Sequence, residues 1–488
     1  MLTKRISRRG LAGLCVIGTL CASTGATPSA ADGCTGTAIR PGMSIPNTVD
    51  AAPAGTTFCV APGLYRVGRT IVPKAGDSLI APQGGVTFNG ARMVTSWRQS
   101  GKVWVASGRT QAPTVNFGGW GDPTMKYPQA RYSDDVFLDG YLLWKVGVRV
   151  NGHIYGETAG TVGKGEYFVN YDKNTITLGS NPKGHLVEQA FTPGGIDSAA
   201  NDVTISGLTV QQMAGDGIDA RGQRWHVTGN VVRMNHVTGI NLGDNAVIQD
   251  NVVNKNGQYG IAGPSHGALV DGNTVAYNNA ARFSTSDGRC SGAGGSKFAA
   301  TTDLMVSNNI YHDNYCNGIW IDVASNNVTL DGNQSYRNTA DGIREEVSYN
   351  LTVHGNNVHD NGRGGISILD SPNTEISDNT ISGNAGYQII LHQHHRTDPV
   401  SPLGAHELRN ASVTGNQIYL GTSKIVGAFN SDNPKQNDMF STWNNVWSGN
   451  TYHVGSTGQR SFAWLSQRLT FAAWQGYGLD TGGSLVVG

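Results

Sequence analysis

Two acidic residues occupy the same place in consecutive turns of an internal pattern. Gly318-Ile319-Trp320-Ile321-Asp322 is followed by Gly342-Ile343-Arg344-Glu345-Glu346. Aligned on Gly-Ile, Asp322 and Glu346 share a column, 24 residues apart. If each turn is one coil of a stacked sheet, equivalent residues lie roughly 4.8 Å apart, one strand spacing. Double displacement at an anomeric carbon uses two carboxyls about 5–5.5 Å apart, one as nucleophile and one as general acid and base. The spacing predicts such a pair without help from a distant part of the chain. Two carboxylates at this range do not both ionise cheaply. One pKa is therefore expected to rise, as an acid working near neutrality requires.

The neighbouring columns carry more chemistry. Alternate residues of a strand face opposite sides. Ile319, Ile343 and Ile366 follow the marker glycine and are expected in the core, with Ile321, Glu345 and Ile368 two places on. The outward columns then read Lys297, Trp320, Arg344, Ser367 and Ala299, Asp322, Glu346, Leu369. Lys297 is placed by matching Gly295-Ser296-Lys297 to Gly318-Ile319-Trp320. A further 23 residues beyond Leu369 stands His392, in Leu391-His392-Gln393-His394-His395. Glu345 breaks the pattern, because a carboxylate in an apolar core is costly. Either the strand bulges and Glu345 faces out, or Glu346 does. The register with Asp322 favours Glu346, and Glu345 stays as the alternate catalytic carboxyl.

Asp322 is thus read as nucleophile and Glu346 as acid and base. Lys297 and Arg344 would hold a carboxylate ionised or bind substrate hydroxyls. Trp320 would offer a flat face to a sugar ring, and His392 and His394 would touch substrate. Stacked Asp and Glu also suit a solvated face, or a calcium ion held by oxygen ligands. No cofactor is otherwise expected.

These columns exist only if the repeat is real. An Asn before an apolar pair recurs at 230, 251, 273, 309, 333, 356, 379 and 416. The steps are 21, 22, 36, 24, 23, 23 and 37, so the two long ones read as coils carrying a loop. Gly-Ile keeps step, at Gly217, Gly239, Gly260, Gly318, Gly342 and Gly365. Between the markers, short Val-, Ile- and Thr-rich runs alternate with polar residues, the period of strands. The reading is all-β: a parallel β-solenoid. The recurrent Asn residues are expected to form structural ladders, since buried polar groups are paired.

These markers resemble those of right-handed parallel β-helix proteins of the pectin-lyase-like superfamily, over roughly residues 200–420. That fold hosts lyases, hydrolases, epimerases and phage adhesins. The pair Gly-Ile-Trp-x-Asp and Gly-Ile-x-x-Glu, one coil apart, is similar to the pair in β-helical glycoside hydrolases of the β-xylosidase type. The resemblance implies Asp322 as nucleophile and Glu346 as acid/base, and leaves the sugar open. Two other readings stand beside it. A polysaccharide lyase or uronate epimerase would take its base from Lys297, Arg344 or His392. A non-catalytic solenoid would bind glycans through Trp and Asn. In each reading the partner is a carbohydrate.

The chain holds 67 Gly among 488 residues, with 14% charged residues and zero net charge. It lacks the basic surface that nucleic acid requires and any segment apolar enough to span a bilayer. Lys4, Arg5, Arg8 and Arg9 precede the apolar run from Leu11 to Leu20, and Ser29-Ala30-Ala31 offers a cleavage site. Residues 1–31 read as an export signal for secretion. Ser7-Arg8-Arg9-Gly10-Leu11 resembles a twin-arginine leader. Its removal leaves 31 basic and 35 acidic residues, a net charge of −4. Four cysteines then remain, with three pairings open. Proximity favours Cys34–Cys59 and Cys290–Cys316. Residues 32–107 are read as a cap and first coils, 108–195 as an inserted β subdomain, 196–425 as the solenoid, and 426–488 as terminal coils and a cap that includes a short helix near Arg468 to Gly476.

Overall fold

The computed structural model describes residues 33–108, 110, 127–283, 290, 292–394, 396, 401–431 and 437–488. The export signal and His395 lie outside the described residues.

Each coil contributes a short strand to each of three long sheets of 13, 12 and 13 strands. Successive coils pair in parallel, as Val227↔Ile248 and Val232↔Val253 do. Inward Val, Ile and Leu side chains from all three sheets merge into one continuous core. The chain is a parallel β-helix.

Asparagine closes the coils. The Asn251 Oδ1 accepts the Asn230 backbone N–H at 2.9 Å and its Nδ2 at 3.0 Å, while that Nδ2 also donates to the Ile205 carbonyl at 3.0 Å. The same arrangement repeats through Asn273, Asn309, Asn333, Asn356, Asn379, Asn416 and Asn450, and ends on Asp480. A second ladder, five residues on, runs from Asn235 through Asn256, Asn278, Asn314, Asn338 and Asn361 to Asn384. The residue before each rung turns the chain at positive φ, as Gly229, Asp250 and Gly272 do. Glycine reaches that conformation without steric cost, and Asp and Asn tolerate it. The Gly-Ile marker has a related cause. A Cβ on Gly342 would stand 2.6 Å from Asn361 Nδ2 and 2.4 Å from Val358 Cγ1.

The insertion is larger than the sequence predicts. Its four-stranded and six-stranded sheets use strands from Ala91–Met93 to Val187–Ala190, so it begins near 91 rather than 108. Val103–Ser107 pairs antiparallel with Thr175–Leu178. Its alternation fits a coil strand equally well, and only the distant partner decides. The two expected hairpins are present, at Val136–Leu138 with Tyr141–Leu142 and at Glu166–Asn170 with Thr175–Leu178. Coils also continue past 425, through Thr451–Val454 to Ser484–Val487.

Both open ends are covered. Ile45–Ala51 is a helix that buries Ile45 and Val49. Phe471–Gly476 is the expected C-terminal helix, and its Trp474 packs against Trp447 and Trp464. Cys34–Cys59 and Cys290–Cys316 are bonded, the pairing that proximity favours.

Removing one rung strands buried donors and acceptors, each costing about 1–3 kcal/mol. Asn356→Ala is therefore expected to lower stability by at least about 2 kcal/mol. The adjacent exposed Asn357→Ala should cost much less in the same thermal or urea melt.

Candidate active site

Five successive strands of the 12-stranded sheet build the site: Gly294–Ala299, Ile319–Asp322, Asp341–Glu346, Gly364–Leu369 and Tyr387–Gln393. Ala299 pairs with Asp322, Trp320 with Arg344, Glu346 with Leu369, and Leu369 with His392. Asp322 and Glu346 follow the pair Ile321↔Glu345 by one residue, which puts them side by side on the outward face. His392 lies two strands beyond Glu346.

No bulge interrupts Asp341–Glu346 against the next strand, since Arg344, Glu345 and Glu346 pair with Ser367, Ile368 and Leu369 without a shift. Alternation therefore sends Glu345 inward, where it is 0% exposed. It is removed from the catalytic group. Thr374 Oγ1 donates to its Oε2 at 2.7 Å, while Oε1 has no hydrogen-bond partner. Burial pushes its pKa up to about 8, so the side chain is a neutral acid at neutral pH.

Each outward carboxylate has its own cations. Lys297 Nζ lies 2.7 Å from Asp322 Oδ2. Arg344 donates through Nε and Nη2 to Glu346 Oε2, at 3.1 and 3.0 Å. Arg396 bonds the other oxygen, Oε1, and reaches Asp370 through Nε at 3.1 Å. His394 Nδ1 lies 3.2 Å from the same Asp370. His392 packs on His394, ring centroids 3.9 Å apart, and sits 2.9 Å from Ser431 Oγ. At the start of the Glu346 strand, buried Asp341 accepts from Tyr387 Oη at 2.7 Å and Arg363 Nε at 2.9 Å. Arg344 reaches it at 3.5 Å.

These pairings overturn two expectations. Burial pushes the Glu346 pKa upward, but the Arg344 and Arg396 guanidiniums outweigh it and hold the carboxyl below the ordinary range. The predicted rise from a like-charged neighbour does not occur at Glu346, because cations stand against the pair. Trp320 is no open platform either. It is 3% exposed, and Lys297 Nζ lies 3.9 Å from its ring centre. The indole supports the lysine that holds Asp322, a cation–π contact.

Arg396, Asp370 and Tyr259 escape sequence reasoning. Arg396 follows no periodic marker and lies in the long coil that spans 37 residues between ladder positions Asn379 and Asn416. Tyr259 stands one coil before Lys297; burial and the Asp322 charge raise its hydroxyl pKa above the usual tyrosine value. Among the described residues, no group of three His, Cys, Asp or Glu side chains is placed to hold a metal ion.

Comparison with known proteins places this geometry in context. Residues 262–418 match the family model described as a right-handed beta helix region. The structure of XylC in complex with xylose superposes with a TM-score of 0.62 at 15% identity, covering 91% of this chain and 83% of that one. The A-module of the mannuronan C-5 epimerase AlgE6 from Azotobacter vinelandii gives 0.45 at 15% identity, over 90% of this chain and 92% of its own. A protein named glycoside hydrolase gives 0.42 at 9% identity, over 81% and 89%. Compared by sequence with curated proteins, the chain matches none. At these identities the likeness is one of fold, and the fold is a right-handed parallel β-helix.

Glu345 yields a stability test. Its folded pKa of about 8 exceeds the ordinary 4.5, so between these values the folded state binds the extra proton. Stability from this group is present below the ordinary value and is lost as pH rises through about 8. Denaturant melts of the wild type should show that decline, and Glu345→Gln should flatten it. An unchanged slope in the variant would place the decline elsewhere.

Proposed function

We propose that the chain is a secreted, retaining glycoside hydrolase acting on a polysaccharide or its oligosaccharides. The observation that carries this reading is the juxtaposition of Asp322 and Glu346 on adjacent coils, both outward, each held by its own cations. In the first step an Asp322 oxygen bonds to the anomeric carbon as the glycosidic C–O bond breaks. Glu346 gives its proton to the departing oxygen. In the second step Glu346 takes a proton from water, whose oxygen replaces Asp322 at the same carbon. Lys297 offsets the nucleophile's charge and fixes its direction. Leader-directed export, with the twin-arginine route as the one the Arg pair suggests, accords with two disulfides.

The arginines suit the second step directly, because they keep Glu346 ionised as a base. For the first step Glu346 must be protonated, so activity belongs on the acidic side of neutrality.

The same pairings weigh against a lyase or epimerase. Such enzymes need cations ready to neutralise a uronate. Here Lys297, Arg344, Arg363 and Arg396 face Asp322, Asp341, Glu346 and Asp370, each cation bonded to at least one of these carboxylates. The buried Trp320 weighs against a purely glycan-binding face.

Aryl glycosides of xylose, glucose, galactose and arabinose test the proposal, with xylosides first because of the motif resemblance. Asp322→Asn should cut turnover by about a thousandfold or more, and NMR should show the product first in the substrate's own anomeric form. Inverted product, or an unsaturated one, would reject it. Separately, Arg396→Gln removes one cation from Glu346. The basic limb of the kcat/KM profile should then move to higher pH, since the acid keeps its proton longer.

A further inference from the structure

The outward column that contains Trp320 and Arg344 continues towards the N-terminus in unbroken register. Asp197 pairs with Asp219, Asp219 with Asn241, Asn241 with Ala262, and Ala262 with Lys297. Trp320 comes next, one residue before the pair Phe298↔Ile321 makes with its strand. Two cavities lie along this column. One, of about 230 Å³, is lined by Thr238, Asn241, Tyr259, Ala262 and Lys297 among others. The other, of about 530 Å³, is lined by Asp219, Arg221, Asn241, Asp244 and His266 among others. They share Asn241, Gly263 and Pro264, so they form one cleft. Its inner end is Lys297, the residue bonded to Asp322.

We propose that this cleft is a run of sugar subsites, and that the substrate is a neutral linear glycan lying along the helix axis from the Asp322–Glu346 pair to Asp219. The inference rests on the hydrolase reading and adds the substrate's direction, length and charge.

The dimensions support it. From the Asp219 strand to the Trp320 strand there are four strand spacings, roughly 19 Å. Adjacent coils stand roughly 4.8 Å apart, on the scale of a single pyranose ring, so each coil can present its own polar groups to one sugar. Ala262 lacks a bulky side chain in the middle of the column and leaves room for a ring between Asn241 and Lys297. The outer end combines a carboxylate, a guanidinium, an amide and an imidazole, groups that pair with neighbouring hydroxyls. Arg221 bridges Asp197 at 2.5 Å and Asp219 at 3.5 Å and holds that end in place.

The charge of the cleft selects against uronates. Asp219 and Asp244 line it, and Asp197 and Asp216 stand close enough to Asp219 to raise its pKa, which burial and these charges bring to about 6. Two cations line the cleft, Arg221 and Lys297, and each is already bonded to carboxylates of the protein, Arg221 to Asp197 and Asp219 and Lys297 to Asp322. A uronate would have to displace one of these carboxylates to reach a cation, whereas a neutral chain meets acceptors for its hydroxyls.

The test uses the full-length protein and the linear series, disaccharide to hexasaccharide, of the sugar whose aryl glycoside it cleaves. For the wild type, kcat/KM should climb by about fivefold with each ring that gains a hydrogen-bonded subsite, until the cleft is filled. Asp219→Ala and Asn241→Ala should each lower the ratio of hexasaccharide to disaccharide kcat/KM by about fivefold. Equal kcat/KM along the wild-type series would overturn the inference while leaving hydrolysis intact. So would variants that slow both lengths alike. If no glycoside is turned over at all, the hydrolase reading fails and this one falls with it.

Discussion

Coil-to-coil stacking through buried asparagine amides is the constraint on which the rest of the molecule depends. A turn buried at every corner leaves backbone N–H and C=O groups away from water, and each must find a partner. In each rung the Asn Oδ1 accepts from the neighbouring coil's backbone and side chain, while Nδ2 donates to a carbonyl one coil away. The coils are thereby locked in register at the strand spacing. A residue at one place in a coil then sits beside the residue at the same place in the next. Columns of like-facing side chains follow, and the site is two such columns.

Stacking also sets the electrostatics. Placing Asp322 beside Glu346 would be unfavourable in isolation, and the column answers with cations on both sides. Lys297 is one coil before Asp322, and Arg344 is two residues before Glu346 on its own strand. Arg396 and Asp370 extend the network from a lengthened coil. Four cations and four carboxylates interleave, so little net charge remains for the low-dielectric groove to carry. This is why Glu346 departs downward in pKa, whereas Glu345, one residue away and facing the core with a hydroxyl as its partner, departs upward.

Much of the architecture is legible because the period is local. The Asn marker, the Gly, Asp or Asn before it and the Gly-Ile pair each answer to one turn, and each reports its own coil. The Lys297–Trp320–Arg344 column could be read in this way. So could the outward Glu346, once alternation is trusted over the discomfort of burying Glu345. The repeated Gly195-Ile196-Asp197 and Gly217-Ile218-Asp219 carry the same signal for the distal cleft. The start of the insertion resisted because its first strands alternate like coil strands and are assigned by partners some seventy residues away. Arg396 resisted because a residue in a loop has no column to belong to.

The amino-acid order by itself determined the coil, its repeat and which residues share a column, because strand alternation and turn stereochemistry act over a few residues. It also determined that one aspartate and one glutamate would be neighbours. Only the tertiary structure decided what those carboxyls meet. The guanidinium of Arg396, the lysine lying on Trp320 and the cleft running back to Asp219 arise where separate coils and loops converge. Charge and burial at a point in space are sums over all of them, and no single stretch of chain contains that sum.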